Sequence, residues 1–346
     1  MTPLDLTTGR VDLTHGGGGR AMAQLIDDLF VRAFDNPALA RRNDQGRLDM
    51  ARGTGTGRLV MTTDGYVISP LFFAGGDIGS LAVHGTLNDI AMGGARPIAL
   101  SASYILEEGL PLADLARIVG SMAAAARQAG VPIVTGDTKV VEKGKADGVF
   151  ISTTGIGEVF PGVEVSGDLA RPGDAVILSG TLGDHGVAVM SQREGLGFET
   201  QVQSDSAALH TLVEAVVGVA AEALHVLRDP TRGGLAATLN EIAQASKVGI
   251  GLEEEAIPVR EAVRGACELL GLDPLHVANE GKMVVICDGA AADGVLAALR
   301  AHPLGAAAAL IGRVIEDDHC FVRMETAFGG TRMVDWLAGE QLPRIC

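Results

Sequence analysis

The sequence predicts a two-domain α/β (α+β) protein, and three observations carry that prediction. At 346 residues, 47% of them apolar, the chain is longer than one hydrophobic core ordinarily serves. Strand-type and helix-type apolar periods alternate up to about Phe160 and resume beyond Gly173. Between them, Pro161 to Gly173 is rich in Gly and Pro and breaks both periods, which sets the domain boundary at 160/161.

The elements follow in order. Behind the Gly-rich segment His15 to Arg20, the residues Met22, Leu25, Ile26, Leu29, Phe30 and Ala33 recur at helical spacing, giving an N-terminal segment and helix over 1–36. A first domain over 37–160 begins with two strands expected between Gly57 and Pro70 around the turn Thr63-Asp64-Gly65, since Asp-Gly between β-type residues is a turn signal. Next come a helix over Ile78 to Met92, a strand over Pro97 to Leu106, a helix over Pro111 to Gln128 opened by its proline, and a strand over Val131 to Val134. The second domain, 161–335, takes strands at Ala175 to Ser179, Met283 to Cys287 and Phe321 to Met324, with helices at Ala207 to Leu227 and Leu235 to Ser246. From Trp336 the chain is too short and polar to build an element, so 336–346 is expected to be a mobile tail. Its last ten or so residues would reach roughly 35 Å when extended.

A net charge of −16 repels phosphate backbones and anionic lipid, and no local basic patch offsets it, which argues against nucleic-acid and membrane partners. Met1 to Asp12 lacks the basic start and apolar core of a signal peptide, so a soluble, cytoplasmic protein is expected. Cys267, Cys287, Cys320 and Cys346 form no CxxC pair and have no histidine at zinc-finger spacing, which argues against a metal cluster or disulfide scaffold. The first three read as core residues. Cys346, the last residue, reads as an exposed thiol, and the adjacent Arg344 should favour its thiolate modestly.

Five aspartates stand in corners containing Gly, Asn or Thr: Asp64, Asp77, Asp89, Asp137 and Asp229. Each alone is better explained as a turn former or helix cap. Together, carboxylates spread over several strand ends suit Mg²⁺ held against a nucleotide, because Mg²⁺ takes a few hard oxygens plus phosphates. Gly16, Gly17, Gly18 and Gly19 ahead of a helix could wrap phosphates with backbone N–H groups, although the loop is not a Walker A motif and composition leaves a plain linker equally open. Lys139 and Glu280 stand beside turn-like segments, where they suit charge stabilisation and proton transfer, although spacing alone favours surface ion pairs for each. His15, His84, His185 and His319 form no spaced ligand pair and read as ordinary polar or capping residues.

Several strings occur together and in order: His15 to Arg20, Thr62-Thr63-Asp64, Gly75-Gly76-Asp77-Ile78-Gly79, Val83-His84-Gly85-Thr86-Leu87-Asn88-Asp89, Thr135-Gly136-Asp137-Thr138-Lys139, Arg228-Asp229-Pro230-Thr231-Arg232-Gly233-Gly234-Leu235, Ala278-Asn279-Glu280-Gly281 and the terminal Pro343-Arg344-Ile345-Cys346. This set resembles the hydrogenase maturation factor HypE family of carbamoyl dehydratases, within a wider aminoimidazole ribonucleotide synthetase-like group. The resemblance implies a homodimer that pairs the N-terminal sheet of each subunit and binds ATP with Mg²⁺. By resemblance, Asp64, Asp89 and Asp229 are metal ligands. Gly16 to Gly19, Asp77, Asn88 and Asp137 serve the nucleotide, while Cys346, Glu280 and Lys139 carry the chemistry. Gly17 departs from the serine expected there, which removes a hydroxyl but leaves the backbone donors.

The implied reaction dehydrates an S-carboxamide on Cys346 to a thiocyanate, supplying cyanide for the iron of [NiFe] hydrogenase. The carbamoyltransferase HypF is the implied donor, and the HypC–HypD iron scaffold complex the implied acceptor. A selenophosphate synthetase, a relative by fold, should carry a reactive Cys near its N-terminus, whereas no Cys precedes Cys267 here. A non-catalytic carrier that displays Cys346 is the alternative of a different class.

Overall fold

The computed structural model describes residues 4–12, 24–35, 58–193, 202–335 and 344–346. Gly16 to Gly19 and most of the expected tail lie outside these residues. The N-terminal helical expectation is met by a π-helical stretch, Ile26–Val31, running into Arg32–Phe34.

The first domain is a four-stranded sheet in the order β1-β6-β4-β5. It is built from β1 (Leu59–Tyr66), β4 (Ala95–Glu107), β5 (Ile133–Val141) and β6 (Val149–Val159). Helices α1 (Ile78–Met92) and α2 (Leu112–Ala129) belong to the same domain, and Leu81, Leu87, Ile90, Leu115, Ile118 and Met122 bury its core. A two-stranded ribbon, β2 (Phe72–Phe73) with β3 (Gly76–Asp77), leads into α1. Two sequence expectations need correction here. Thr63-Asp64-Gly65 is not a turn: β1 runs straight through it, with Asp64 opposite Thr153 and Gly65 opposite Ser152 of β6. Asp-Gly yields a turn only when no neighbouring strand captures its backbone, and β6 pairs all eight residues of β1. Likewise Thr135 to Lys139 is strand rather than corner, because β5 pairs in parallel with β4 as far as Val141.

The second domain centres on a seven-stranded sheet in the order β13-β12-β9-β11-β7-β10-β8. Its strands are β7 (Ala175–Leu178), β8 (Leu224–Arg228), β9 (Gly249–Glu253), β10 (Val284–Cys287), β11 (Ala309–Ile315), β12 (Val322–Glu325) and β13 (Thr331–Met333). The helices are α3 (Asp184–Arg193), α4 (His210–Ala220), α5 (Gly234–Ser246), α6 (Glu261–Leu270) and α7 (Ala292–Ala301). The strands β7 and β10 are apolar throughout because both faces are covered. Val176, Leu178, Val284 and Ile286 join one core with Leu235 and Leu239 of α5, while Ile177, Val285 and Cys287 join another with Leu212 of α4 and Leu299 of α7. The expected helix over Ala207 to Leu227 stops at Ala220, and its apolar end becomes β8, because a short apolar run fits either structure until a sheet claims it. Cys267 and Cys287 are buried as expected, but Cys320 is only partly covered and sits in a left-handed turn, φ 56°.

Ala91 and Met92, at the end of α1, pack into the second domain's core and so help fasten the two sheets together. No helix among the described residues is long and apolar enough to cross a membrane.

Candidate active site

The site lies where β1 and α1 of the first domain meet the ends of second-domain strands. Side chains alternate along β1, so Thr62, Asp64 and Tyr66 share the side facing α1. Thr62 Oγ1 donates to Asp89 Oδ2 at 2.7 Å, fixing a carboxylate from the last turn of α1. Tyr66 is fully buried beneath, with its hydroxyl 3.3 Å from Thr86 Oγ1, and Thr86 in turn meets Thr153. Asp229 follows the end of β8. Its loop closes through Thr231 N donating to Asp229 O at 3.0 Å and Gly234 N donating to Thr231 O at 2.9 Å. Gly233 and Gly234 take φ of +76° and +61°, and a Cβ on Gly234 would lie 2.5 Å from the Leu275 carbonyl oxygen, so the loop requires glycine there.

Glu280 is delivered by the segment ahead of β10, and Asn279 fastens that segment to the Asp229 loop. The Asn279 side-chain amide donates to Pro230 O at 2.9 Å, its backbone N–H donates to the same carbonyl at 3.1 Å, and its Oδ1 accepts from Gly183 N at 2.8 Å. Glu280 is 3% exposed, and its Oε1 has no hydrogen-bond partner. An open cleft of about 680 Å³ beside these groups is lined by Met61, Thr62, Asp89, Arg228, Asp229 and Arg232, among others.

Electrostatically the site is dominated by carboxyl groups, with Arg228 offsetting Asp89 and Asp229 in part. Burial, then the neighbouring Asp89, push the Asp229 carboxyl up to about 7, and burial raises Asp89 as well, with Asp64 adding to it. Glu280 is held well above the ordinary carboxylate range by burial and then by Asp229, Asp205, Asp64 and Asp89. Among the described residues no three His, Cys, Asp or Glu side chains converge tightly enough to cage an ion by themselves. Mg²⁺ ordinarily keeps several waters and binds through one or two carboxylates plus substrate phosphates. A cation here would stabilise the ionised carboxylates against the burial and mutual repulsion that favour their protonated forms.

The end of the chain also reaches this site. Residues 344–346 lie alongside 67–69: Val67 N donates to Cys346 O at 3.1 Å, and Ser69 N donates to Arg344 O at 3.3 Å. Ile345 is 2% exposed within the first domain's core, and Cys346 packs against that core. The terminal three residues are therefore docked. The expected help from Arg344 is also corrected, since its guanidinium is used on Val67 O at 2.8 Å and on Asp147. Burial, then Glu280, push the Cys346 thiol up to about 12, with Arg232 opposing and Asp64 adding.

The sign of that shift gives an expected result. A docked thiol holds its proton where a free one, near 8.5, has lost it, so docking is fully favoured below about pH 8.5 and weakens as pH rises toward 12. Iodoacetamide labelling of Cys346 should continue to accelerate above pH 9, where labelling of a free C-terminal peptide levels off.

Other expected site residues are placed differently. Asp77 caps α1: its Oδ1 accepts from Gly79 N at 2.8 Å and Ser80 N at 3.0 Å, and also from Ser121 Oγ. Asn88 is buried, with Nδ2 donating to Ala207 O at 3.1 Å and Glu280 O at 3.2 Å while Oδ1 accepts from Leu209 N at 2.8 Å. Its side chain positions the Glu280 segment. Asp137 and Lys139 pair with each other at 2.9 Å on β5, at the sheet edge opposite β1, and both are exposed. Within one chain they are not brought to the acidic cleft. Sequence reasoning missed Thr62, Tyr66 and Arg232 as site residues, although the first two alternate with Asp64 and the third stands in the same string as Asp229.

The fold and site define a class. Residues 42–159 match the AIR synthase related protein N-terminal domain, and residues 171–325 match the C-terminal domain of the same family. Carbamoyl dehydratase HypE of Azotobacter vinelandii is 65% identical over 346 residues, with both chains fully covered. A crystal structure of hydrogenase maturation protein HypE in complex with ATP superposes with a TM-score of 0.92 at 54% identity, covering 97% of this chain and 99% of that one. The chain seen in a HypE–HypF complex matches with a TM-score of 0.79 at 48% identity, covering 90% of this chain and 99% of that one. The chain belongs to the HypE family of carbamoyl dehydratases, enzymes of hydrogenase maturation.

Proposed function

We propose that this enzyme uses ATP to remove the elements of water from an S-carboxamide on Cys346, leaving a thiocyanate as the cyanide source for a hydrogenase iron centre. The observation that carries this reading is the docking of the chain's own terminal thiol beside Glu280 and the acidic cleft. The ATP complex of a close relative supports the nucleotide, and the HypE–HypF complex supports a HypF-type carbamoyl donor. A HypC–HypD-type iron scaffold is the proposed acceptor, and the cytoplasm the proposed setting.

The carboxamide oxygen attacks the γ-phosphoryl group of ATP, and ADP leaves. One N–H proton passes to solvent, which gives a phosphorylated imidate. Glu280 then accepts the second N–H proton as the C–O bond breaks, the C≡N bond forms and phosphate departs. An amide oxygen leaves poorly, so the phosphoryl group is what makes its departure feasible. Asp64, Asp89 and Asp229 would hold Mg²⁺, which supplies charge stabilisation for the phosphoryl oxygens. Gly16 to Gly19 would cover the phosphates, and Asp137 would lie by the nucleotide. Asp77 and Asn88 would act indirectly, by fixing the frame around it.

Lys139 stabilises negative charge in this reading, and within one chain it stands on the far edge of the sheet. The open face of the first sheet carries exposed Met61, Ile105 and Lys139, and a second copy of the chain laid on it would form the proposed homodimer and bring its own Lys139 to the interface. Tethering the substrate to the tail makes the encounter intramolecular and leaves the product free to swing to another protein. Intact-mass analysis of the C-terminal peptide tests the whole reading. The carbamoylated tail should lose one water only when ATP and Mg²⁺ are present, and a tail mass unchanged by ATP would refute it.

A further inference from the structure

A tail that is loaded by one protein and unloaded to another must leave the cleft and return, so something must hold it during the chemistry. Arg344 is held at the rim by its own side chain and by Arg193, whose Nη2 donates to Arg344 O at 3.0 Å. The carbonyl of Ile345, next to the thiol, instead points inward to a buried side chain: His185 Nε2 lies 2.8 Å from Ile345 O. We propose that His185 is a positioning residue that latches the docked tail and ties it to the same segment that sets Glu280.

Hydrogen-bond logic fixes the direction of this chain of contacts. A carbonyl only accepts, so His185 carries its proton on Nε2 and donates to Ile345. Burial holds the imidazole neutral by lowering its affinity for a second proton. Nδ1 is then an acceptor, and it receives the hydroxyl proton of Ser204 at 2.8 Å, while Ser204 Oγ itself accepts from Ser206 N at 3.1 Å. Every member donates in one direction, toward the tail. Phe73 meets the imidazole edge-on, with ring centroids 5.4 Å apart, so the ring has little freedom to turn.

The segment holding Ser204 also frames the base. Asp205 Oδ1 accepts from Glu280 N at 3.1 Å, and Oδ2 accepts from Lys282 Nζ at 2.9 Å. Ala207 N donates to Glu280 O at 3.4 Å, and Asn88 bridges the carbonyls of Ala207 and Glu280. The backbone of Ser204 is anchored to Ala74 O at 2.8 Å, beside Gly75, which has φ of +92° and on which a Cβ would lie 2.8 Å from Ser204 N. Residues 204–207 therefore touch both reacting partners, the base through Asp205 and the tail through His185. A tail docked on His185 arrives in register with Glu280.

The role of the latch in turnover rests on Cys346 being the substrate carrier, but docking itself can be read without any turnover. In the full-length protein, timed iodoacetamide labelling would be followed by mass spectrometry at Cys346 and at Cys320, the internal reference. Loss of one buried hydrogen bond corresponds to about a tenfold shift in the docking equilibrium. His185→Phe, which keeps a ring but no donor, should label about tenfold faster at Cys346 with Cys320 unchanged. His185→Gln, which can still donate an N–H, should fall between it and the wild type. Ser204→Ala, a smaller lesion that guards against misfolding of the first variant, should accelerate Cys346 labelling by about threefold.

Under single turnover, His185→Phe should slow water loss from a preloaded tail about tenfold without slowing carbamoyl loading, which needs the tail outside. Unchanged Cys346 labelling in both His185→Phe and Ser204→Ala overturns the latch, as does a parallel rise at Cys320, which would mean general loosening. If labelling responds as expected but no protein, wild type included, loses water from its tail, the latch stands and the carboxamide reading fails. Normal labelling with normal water loss in the variants has the opposite meaning.

Discussion

Cys346→Ala is expected to bring ATP turnover on a carbamoyl-loading mixture to background and to leave no peptide that loses water. The effect is total because no other thiol can take over. Cys267 and Cys287 are buried in the second domain's cores, and Cys320 sits in a turn of that domain after β11. The substitution itself is mild for the fold. Ile345 and the hydrogen bonds of residues 344–346 to 67–69 are backbone or neighbouring contacts that alanine retains, so folding stability should change by less than about 1 kcal/mol. Thermal melting beside the ATP assay separates the two. Full ATP turnover by a well-folded Cys346→Ala protein would mean that the hydrolysed nucleotide serves some other substrate.

Glu280→Gln is expected to lower the rate of water loss from the loaded tail by about 10²–10⁴-fold, the usual contribution of a positioned general base. The carboxamide form should accumulate rather than the free thiol. Glu280 is the natural place for this loss because its Oε1 is buried without a partner and four acids surround it. The same surroundings set the pH dependence. Its pKa is raised, so the ionised, proton-accepting form is lost as pH falls, and the wild-type single-turnover rate should climb with pH before levelling off. A cation bound by the neighbouring carboxylates should move that climb to lower pH. In Glu280→Gln the climb should vanish. A variant that dehydrates at the wild-type rate would remove Glu280 from the reaction and turn attention to Asp205 or Tyr66.

The docked tail and the proposed latch give these two variants a common frame. His185 reads in the sequence as one more unremarkable histidine, since nothing local marks it. Its significance comes from Ser204, nineteen residues away, and Ile345, 160 residues away. Contacts of that separation leave no periodic trace in a single sequence. The acidic corners were easier to read because their neighbours are local: Thr231 and Gly233 within four residues of Asp229, Asn88 next to Asp89. Even so, three of them changed meaning once packed. Asp77 uses its carboxylate as a helix cap, and Asp64 and Asp137 stand within strands rather than at corners.

By itself, then, the sequence determined the two α/β units, the helices Ile78–Met92 and Leu112–Ala129 to within a residue or two, the acidic residues, the terminal thiol and the family. These follow from periodicity, from turn chemistry and from strings a few residues long, all of which are local properties of the chain. Only the tertiary structure decided which acids face one another, that Asp137 and Lys139 stand on the opposite sheet edge, and that the last three residues dock beside Glu280. Those outcomes depend on strand order and on burial. Strand order is set by long-range pairing, as where β6 captures β1, and burial turns an ordinary thiol and ordinary carboxyls into groups that hold their protons.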